Sequence, residues 1–184
     1  MALEVAGGTK LIDPFFVLNQ VGLKEKMKVA DLGCGAVGHF VFPASKLVGK
    51  EGVIYALDIQ RGVLEGIEKK AKVENAANVQ TVWSDLERFG AAKITSNSLD
   101  AAMLLNTLFQ TKDRVTVLRE AARMLKVGGK LLVVDWLPTG APFGPPLEGR
   151  VDPFFLEREV DKLGLHLLKR FSAGPYHYGL VFEK

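Results

Sequence analysis

Apolar positions along this chain switch repeatedly between a period of about two and a period of about 3.6 residues. From Asp13-Pro14, the residues Phe15, Leu18, Val21 and Leu23 keep a helical spacing that stops near Gly22, so 13–27 reads as an opening helical segment. Lys28–Leu32 is a short apolar strand that runs straight into Gly33-Cys34-Gly35. Phe40, Val41, Ala44 and Leu47 then mark a helix ended by Gly49, with Pro43 early in it, where a missing amide hydrogen costs least. Val53–Asp58 is a second strand, and Val63, Ile67 and Ala71 form the next helical stripe. Strands follow at Val79–Trp83 and Leu99–Leu105, then a helix through Val115, Leu118, Ala122 and Leu125 that Gly128-Gly129 should cap. A fifth strand, Leu131–Trp136, leads into 138–150, which holds Pro138, Pro142, Pro145 and Pro146 and reads as an ordered loop or lid. A last helix, Phe154–Leu163, precedes strands Leu165–Phe171 and Tyr176–Phe182, joined through Ser172-Ala173-Gly174-Pro175.

Five strands alternating with helices predict right-handed crossovers and a doubly wound, mainly parallel α/β sheet covered on both faces. The last two strands, joined by a short turn, predict a C-terminal antiparallel hairpin on that sheet, making seven strands in one domain over 1–184. The tetrapeptide Asp-Pro-Phe-Phe occurs at 13–16 and again at 152–155. Nothing around the two copies matches, so they read as one helix-starting device used twice, with Asp as N-cap and Pro in the first turn.

Composition narrows the function classes. The 184 residues carry 24 Lys+Arg and 21 Asp+Glu, a net charge of +3, and the basic residues are scattered among acids. Neither a basic groove nor interleaved aromatics is visible, so nucleic acid is not expected as a partner. No apolar run approaches the roughly 18 residues of a bilayer span. The first residues, Met1–Gly8, have neither a basic start nor an apolar core, so a cytoplasmic protein is expected. The single cysteine, Cys34, allows no intrachain disulfide and no multi-cysteine metal site, and no metal is expected.

In sheets of this kind ligands bind beyond the carboxyl ends of the strands, where Asp31, Asp58, Asp85, Asn106 and Asp135 stand. Gly33-x-Gly35-x-x-Gly38 follows a strand and opens a helix, letting backbone approach a ligand closely and presenting free amide hydrogens. With Asp58 some twenty residues on, the pattern also fits a dinucleotide fingerprint. A nicotinamide-dependent reductase therefore stays open on glycines alone. Asp31, two residues before the first glycine, favours a ligand bearing an amino group over a pyrophosphate.

The run Val29-Ala30-Asp31-Leu32-Gly33-Cys34-Gly35, with Ala56-Leu57-Asp58-Ile59, Trp83-Ser84-Asp85-Leu86 and Met124-Leu125-Lys126-Val127-Gly128-Gly129-Lys130-Leu131, resembles the class I S-adenosylmethionine-dependent methyltransferases. It is most similar to the small ubiquinone/menaquinone-biosynthesis-like, type 11 group, over roughly residues 13–184. The resemblance implies a Rossmann-like fold, S-adenosyl-L-methionine as cofactor, and roles for the strand-end residues. Asp31 would hold the methionine amino group. Gly33, Gly35 and Gly38, with the small Cys34 among them, would line the methionine and ribose part. Asp58 would accept from both ribose hydroxyls, with Ile59 beside it. Asp85 would accept from the adenine amine, flanked by Ser84 and Leu86, and Asn106 would face the reacting centre. The catalytic residue is unknown, with Asn106, His177 and His39 as candidates. Phe109, Gln110, Trp136 and Phe143 could wall an acceptor site. A small-molecule or lipid-like acceptor is expected, and a protein side chain stays open as another. A non-catalytic methyltransferase-like binding module is the rival from a different class. The related arsenite methyltransferases use additional cysteines, so arsenic is not expected as the acceptor.

Overall fold

A computed structural model describes residues 11–139 and 144–184. The sheet begins with β1 (Lys28–Leu32), β2 (Val53–Asp58), β3 (Val79–Trp83) and β4 (Leu99–Leu105). It is completed by β5 (Leu125–Trp136), β6 (His166–Gly174) and β7 (His177–Glu183). Their order is β3-β2-β1-β4-β5-β7-β6. The pairs from β3 through β5 are parallel, and β7 is antiparallel to both β5 and β6. This is the expected seven-stranded Rossmann-like sheet with its antiparallel C-terminal hairpin. Strand order reverses between β1 and β4, which opens a crevice at their carboxyl ends.

Helices α1 (Pro14–Val21), α2 (Val41–Val48), α3 (Arg61–Val73), α4 (Arg114–Met124) and α5 (Pro153–Asp161) cover the sheet. Alternate strand residues face opposite ways. Val29, Ile54, Ala56, Met103, Leu105, Leu132 and Val134 pack with α1, α2 and α3. Ala30, Leu57, Leu104, Leu131, Val133, Tyr178 and Leu180 pack with α4 and α5. The repeated Asp-Pro-Phe-Phe does start two helices. Asp13 Oδ1 accepts from Phe15 N at 2.9 Å and Phe16 N at 3.2 Å, and Asp152 Oδ1 accepts from Phe154 N at 3.0 Å.

Three boundaries differ from the periodicity. Only Pro14–Val21 of the segment 13–27 is helical; Gly22 at φ 72° ends it, and the chain turns back to β1. Leu125, expected at the end of a helix, begins β5, because there it is fully buried opposite Leu99. Gly128-Gly129 accordingly lies inside the strand as an irregularity, between the pairs Leu99–Leu125 and Ala101–Lys130. A Cβ on Gly129 would stand 2.8 Å from Lys126 O and 2.9 Å from Leu99 O, so only glycine lets the strands close there. The hairpin turn is tighter than expected, with β6 running to Gly174 and only Pro175-Tyr176 between the strands. Of the segment 138–150, residues 140–143, and with them Phe143, lie outside the described residues.

Candidate active site

The carboxyl ends of β1 to β4 surround an open cleft of about 430 Å³. Gly33, Gly35, Asp58, Ile59, Ser84, Asp85 and Leu86 line it, all expected from the sequence. Asp58 sits at its centre, 9% exposed. Its Oδ2 accepts from Gly35 N at 3.3 Å and its Oδ1 from Gln60 N at 2.9 Å, so both oxygens face cleft backbone and keep free lone pairs. Asp85 Oδ1 accepts from Glu87 N at 3.0 Å, which turns the chain after β3 along the cleft rim. Trp83 Nε1 donates to Ile59 O at 2.8 Å, and the Arg61 guanidinium lies 5.1 Å above the Trp83 ring, fastening the ends of β2 and β3 together.

The glycines have distinct reasons. Gly33, at φ 90°, has Thr107 Cγ2 only 2.8 Å from where a Cβ would stand. Gly35, at φ 64°, has nothing within 4 Å of that position and looks onto the cleft. Gly38 does not line the cleft; a Cβ there would meet Ile67 Cδ1 and Phe42 Cε2 at 2.7 Å, so this glycine lets α2 and α3 approach each other.

Asp31 lies beneath the glycine loop at 2% exposure. Burial, reinforced by the negative charge of Asp58, raises its carboxyl to about pKa 7. An ammonium placed beside it would restore its ionised form, so this site suits a cationic ligand. Cys34 turns away into the core between the sheet and α2, and burial pushes its thiol up, away from nucleophilic use. Asn106 follows β4 with a left-handed backbone, φ 54°, and its Oδ1 is buried with no hydrogen-bond partner. Ser84 Oγ is likewise buried and unpartnered. Orphaned polar atoms of this kind mark places where a ligand completes the hydrogen bonding.

The histidines separate. His39 Nε2 lies 3.1 Å from Ile12 O, which assigns that nitrogen as the donor and ties the loop after β1 to the segment before α1. His39 does not line the cleft. His177, at the start of β7, is 1% exposed with neither ring nitrogen hydrogen-bonded. Burial, with the Arg150 charge nearby, lowers it to about pKa 4 and keeps it neutral. Its ring centroid is 4.3 Å from that of Trp136, its partner across β5 and β7. Gln110 lines the cleft as one of the expected wall residues, whereas Phe109 packs on the α4 side of the sheet.

Sequence reasoning missed Thr107, Thr111, Gln60, Val63, Ala36 and Glu87, all of which line the cleft. Thr107 Oγ1 lies 2.9 Å from Leu32 O, locking β4 to β1 behind Gly33. Nothing local to Thr107 signals this, because its contacts come from another strand. Among the described residues no cluster of His, Cys, Asp and Glu could hold a metal ion, and no helix is long and apolar enough to cross a membrane.

The residues present fit S-adenosylmethionine: a buried acid beneath the glycine loop, a central acid with free lone pairs, an acid on the far rim and glycine backbone open to the cleft. Comparison with known proteins agrees. The Ubiquinone/menaquinone biosynthesis C-methyltransferase UbiE of Cronobacter sakazakii is 29% identical over 170 residues, covering 89% of this chain and 61% of that protein. The corresponding protein of Escherichia coli (strain K12 / DH10B) is 28% identical over 159 residues, covering 86% of this chain and 57% of its own length. The chain thus spans less than two thirds of these curated relatives. The crystal structure of a SAM dependent methyltransferase from Aquifex aeolicus superposes with a TM-score of 0.85 at 27% identity, covering 94% of this chain and 90% of that one. The sequence profile described as the ubiE/COQ5 methyltransferase family matches residues 8–142 of the 184. The chain belongs to the ubiE/COQ5 methyltransferase family, in the class I S-adenosylmethionine-dependent methyltransferases.

Proposed function

We propose that this chain binds S-adenosylmethionine in the cleft at the ends of β1 to β4 and methylates a small, quinone-like aromatic acceptor. The observation that carries the first half is the placement of Asp31, Asp58 and Asp85 around the Gly33–Gly35 backbone. The second half rests on the names of the relatives, which are biosynthetic C-methyltransferases for ubiquinone and menaquinone. When bound, the cofactor supplies a sulfonium methyl group as the electrophile of an in-line displacement.

The protein's own work is binding and alignment. Asp31 would take the methionine ammonium, ionising as it does so. Asp58 would accept from both ribose hydroxyls while keeping its hold on Gly35 N and Gln60 N. Asp85 and Ser84 would meet the adenine edge, with Ile59 and Leu86 as its apolar walls. Asn106, beside Thr107 at the end of β4, would border the reacting centre.

Calorimetric titration with S-adenosylmethionine, S-adenosylhomocysteine and reduced nicotinamide dinucleotide tests this reading. Micromolar binding of the first two and none of the third is expected. Binding of the dinucleotide alone would overturn it in favour of a reductase. Cofactor binding without methyl transfer to any hydroquinone would leave a binding module.

A further inference from the structure

His177 is buried, neutral and unsatisfied, an expensive state for an imidazole unless a partner arrives. Its strand runs antiparallel to β5, so the start of β7 lies at the carboxyl end of the sheet, the end that holds the cleft. Side-chain alternation puts His177 and Trp136 on the same face as Leu105 and Val134, the face of Asp31 and Asp58. Asn106, whose Oδ1 is also unsatisfied, donates its backbone N to Val134 O at 2.8 Å, two residues before Trp136. Asn106 therefore follows β4, Trp136 ends β5 and His177 starts β7, on three consecutive strands. Two strand spacings, about 10 Å, separate the backbones of the outer pair, room for one aromatic ring with a polar group at each side.

Trp136 occupies the middle of that row. Its ring lies 4.3 Å from the His177 ring and 5.9 Å from the Arg150 guanidinium. Arg150 is itself held by its bonds to Pro145 O at 3.0 Å and Leu137 O at 3.1 Å. Gly144 packs so closely on the indole that a Cβ would stand 2.7 Å from its Cζ3. The indole is thus a fixed, flat wall beside the unpartnered ring nitrogens of His177.

We propose that His177 binds a hydroxyl of the aromatic methyl acceptor, with Trp136 as the flat wall beside the ring and Asn106 Oδ1 taking a second polar group across it. This deepens the function proposed above and rests on it. A neutral imidazole can accept a hydrogen bond through one nitrogen and donate through the other, which suits a phenolic hydroxyl. The acceptor's hydroxyl pattern, rather than its tail, is then what His177 reads.

The test is calorimetric titration of the full chain, saturated with S-adenosylhomocysteine, with 1,4-naphthohydroquinone under anaerobic conditions. His177→Phe, His177→Gln and wild type are compared, each also titrated with S-adenosylhomocysteine alone. Expected are a loss of at least tenfold in hydroquinone affinity for the phenylalanine variant, partial recovery for glutamine, and S-adenosylhomocysteine affinity within twofold throughout. A purely structural role would move the melting temperature and leave the hydroquinone affinity alone. Equal hydroquinone binding by wild type and both variants overturns the assignment of His177 while leaving the acceptor class standing. If wild type binds S-adenosylhomocysteine but no hydroquinone, the acceptor class fails and takes this proposal with it. Should His177→Phe not fold, the glutamine variant decides, with unchanged hydroquinone affinity and unchanged rescue of melting by the hydroquinone counting against the proposal.

Discussion

Two buried polar centres on this sheet have opposite characters. On the α4 side, Glu120 is fully buried and fully engaged. Its oxygens accept from Gly90 N at 2.8 Å, Ala92 N at 3.0 Å, and Arg123 Nε and a terminal guanidinium nitrogen, each at 2.8 Å. Arg123 in turn donates to Ile94 O at 2.9 Å and Ala92 O at 3.1 Å, so the pair stitches the loop before β4 to α4. These bonds hold Glu120 below the usual carboxylate range despite its burial. At the carboxyl end of the sheet, Asp31, Ser84, His177 and the Oδ1 of half-buried Asn106 are buried with their charges suppressed or their polar atoms unpaired. A satisfied buried group holds the fold. An unsatisfied one stores a cost that a ligand removes.

That contrast makes predictions of opposite sign. Glu120→Ala should lose about 3 kcal/mol or more of unfolding free energy, because it leaves two backbone amides and a guanidinium without their acceptor. Denaturant melts would show this, while cofactor affinity of the folded protein stays within twofold; a loss under about 1 kcal/mol would break the comparison.

Asp31→Asn should move the other way. Burial holds the native carboxyl near pKa 7, against an ordinary value of 3.8. The native state therefore holds its proton more tightly, and ligand-free stability falls as pH rises from about 4 to 7. Removing the charge should stabilise the ligand-free protein by about 2 kcal/mol at pH 5.5, by more at pH 7, and abolish that slope. It should also cost S-adenosylmethionine affinity, which in wild type should rise between pH 5 and 7 as Asp31 gives up its proton more easily. Melts and titrations at stepped pH read both.

Asp58→Asn keeps one acceptor oxygen, for either the Gln60 or the Gly35 amide, and alters the ribose site. S-adenosylmethionine affinity should drop at least tenfold, about 1.4 kcal/mol, with ligand-free stability changed by less. Alanine would be a poorer probe, since it also deletes two backbone hydrogen bonds. Unaltered affinity would remove Asp58 from the site.

The smallest effect concerns His177. Burial and Arg150 lower it to about pKa 4 from an ordinary value of 6.5, so the unfolded chain binds the proton better. Its contribution to stability is complete above about pH 6.5 and is lost as pH falls toward 4. His177→Phe should match wild type near pH 7 and exceed it by about 1 kcal/mol at pH 5.5. Parallel slopes in the two proteins would show that the imidazole is already charged in the native state.

The helices and strands, the two Asp-Pro helix starts and the seven cleft residues from Gly33 to Leu86 were legible in the sequence. Each depends on neighbours a few residues away: an N-cap on the next turn, a glycine loop on the strand before it, an acid on the end of its own strand. The misread start of β5 shows the boundary of that reasoning, since Leu125 belongs to the strand only because Leu99 stands opposite it. Gly38 shows another limit, for the glycine pattern placed it with the ligand and packing against Phe42 and Ile67 explains it.

The chain by itself thus determined the order of elements and most of the strand-end residues that line the cleft, because strand ends in a parallel sheet converge on one edge whatever the loops do. Tertiary structure alone decided that Thr107 backs Gly33, that Glu120 reaches Gly90 and Ala92, and that His177 stands beside Trp136. Those contacts join segments distant along the chain, and their chemistry is set by burial and by which hydrogen bonds remain unmade, quantities that exist only once the strands have paired.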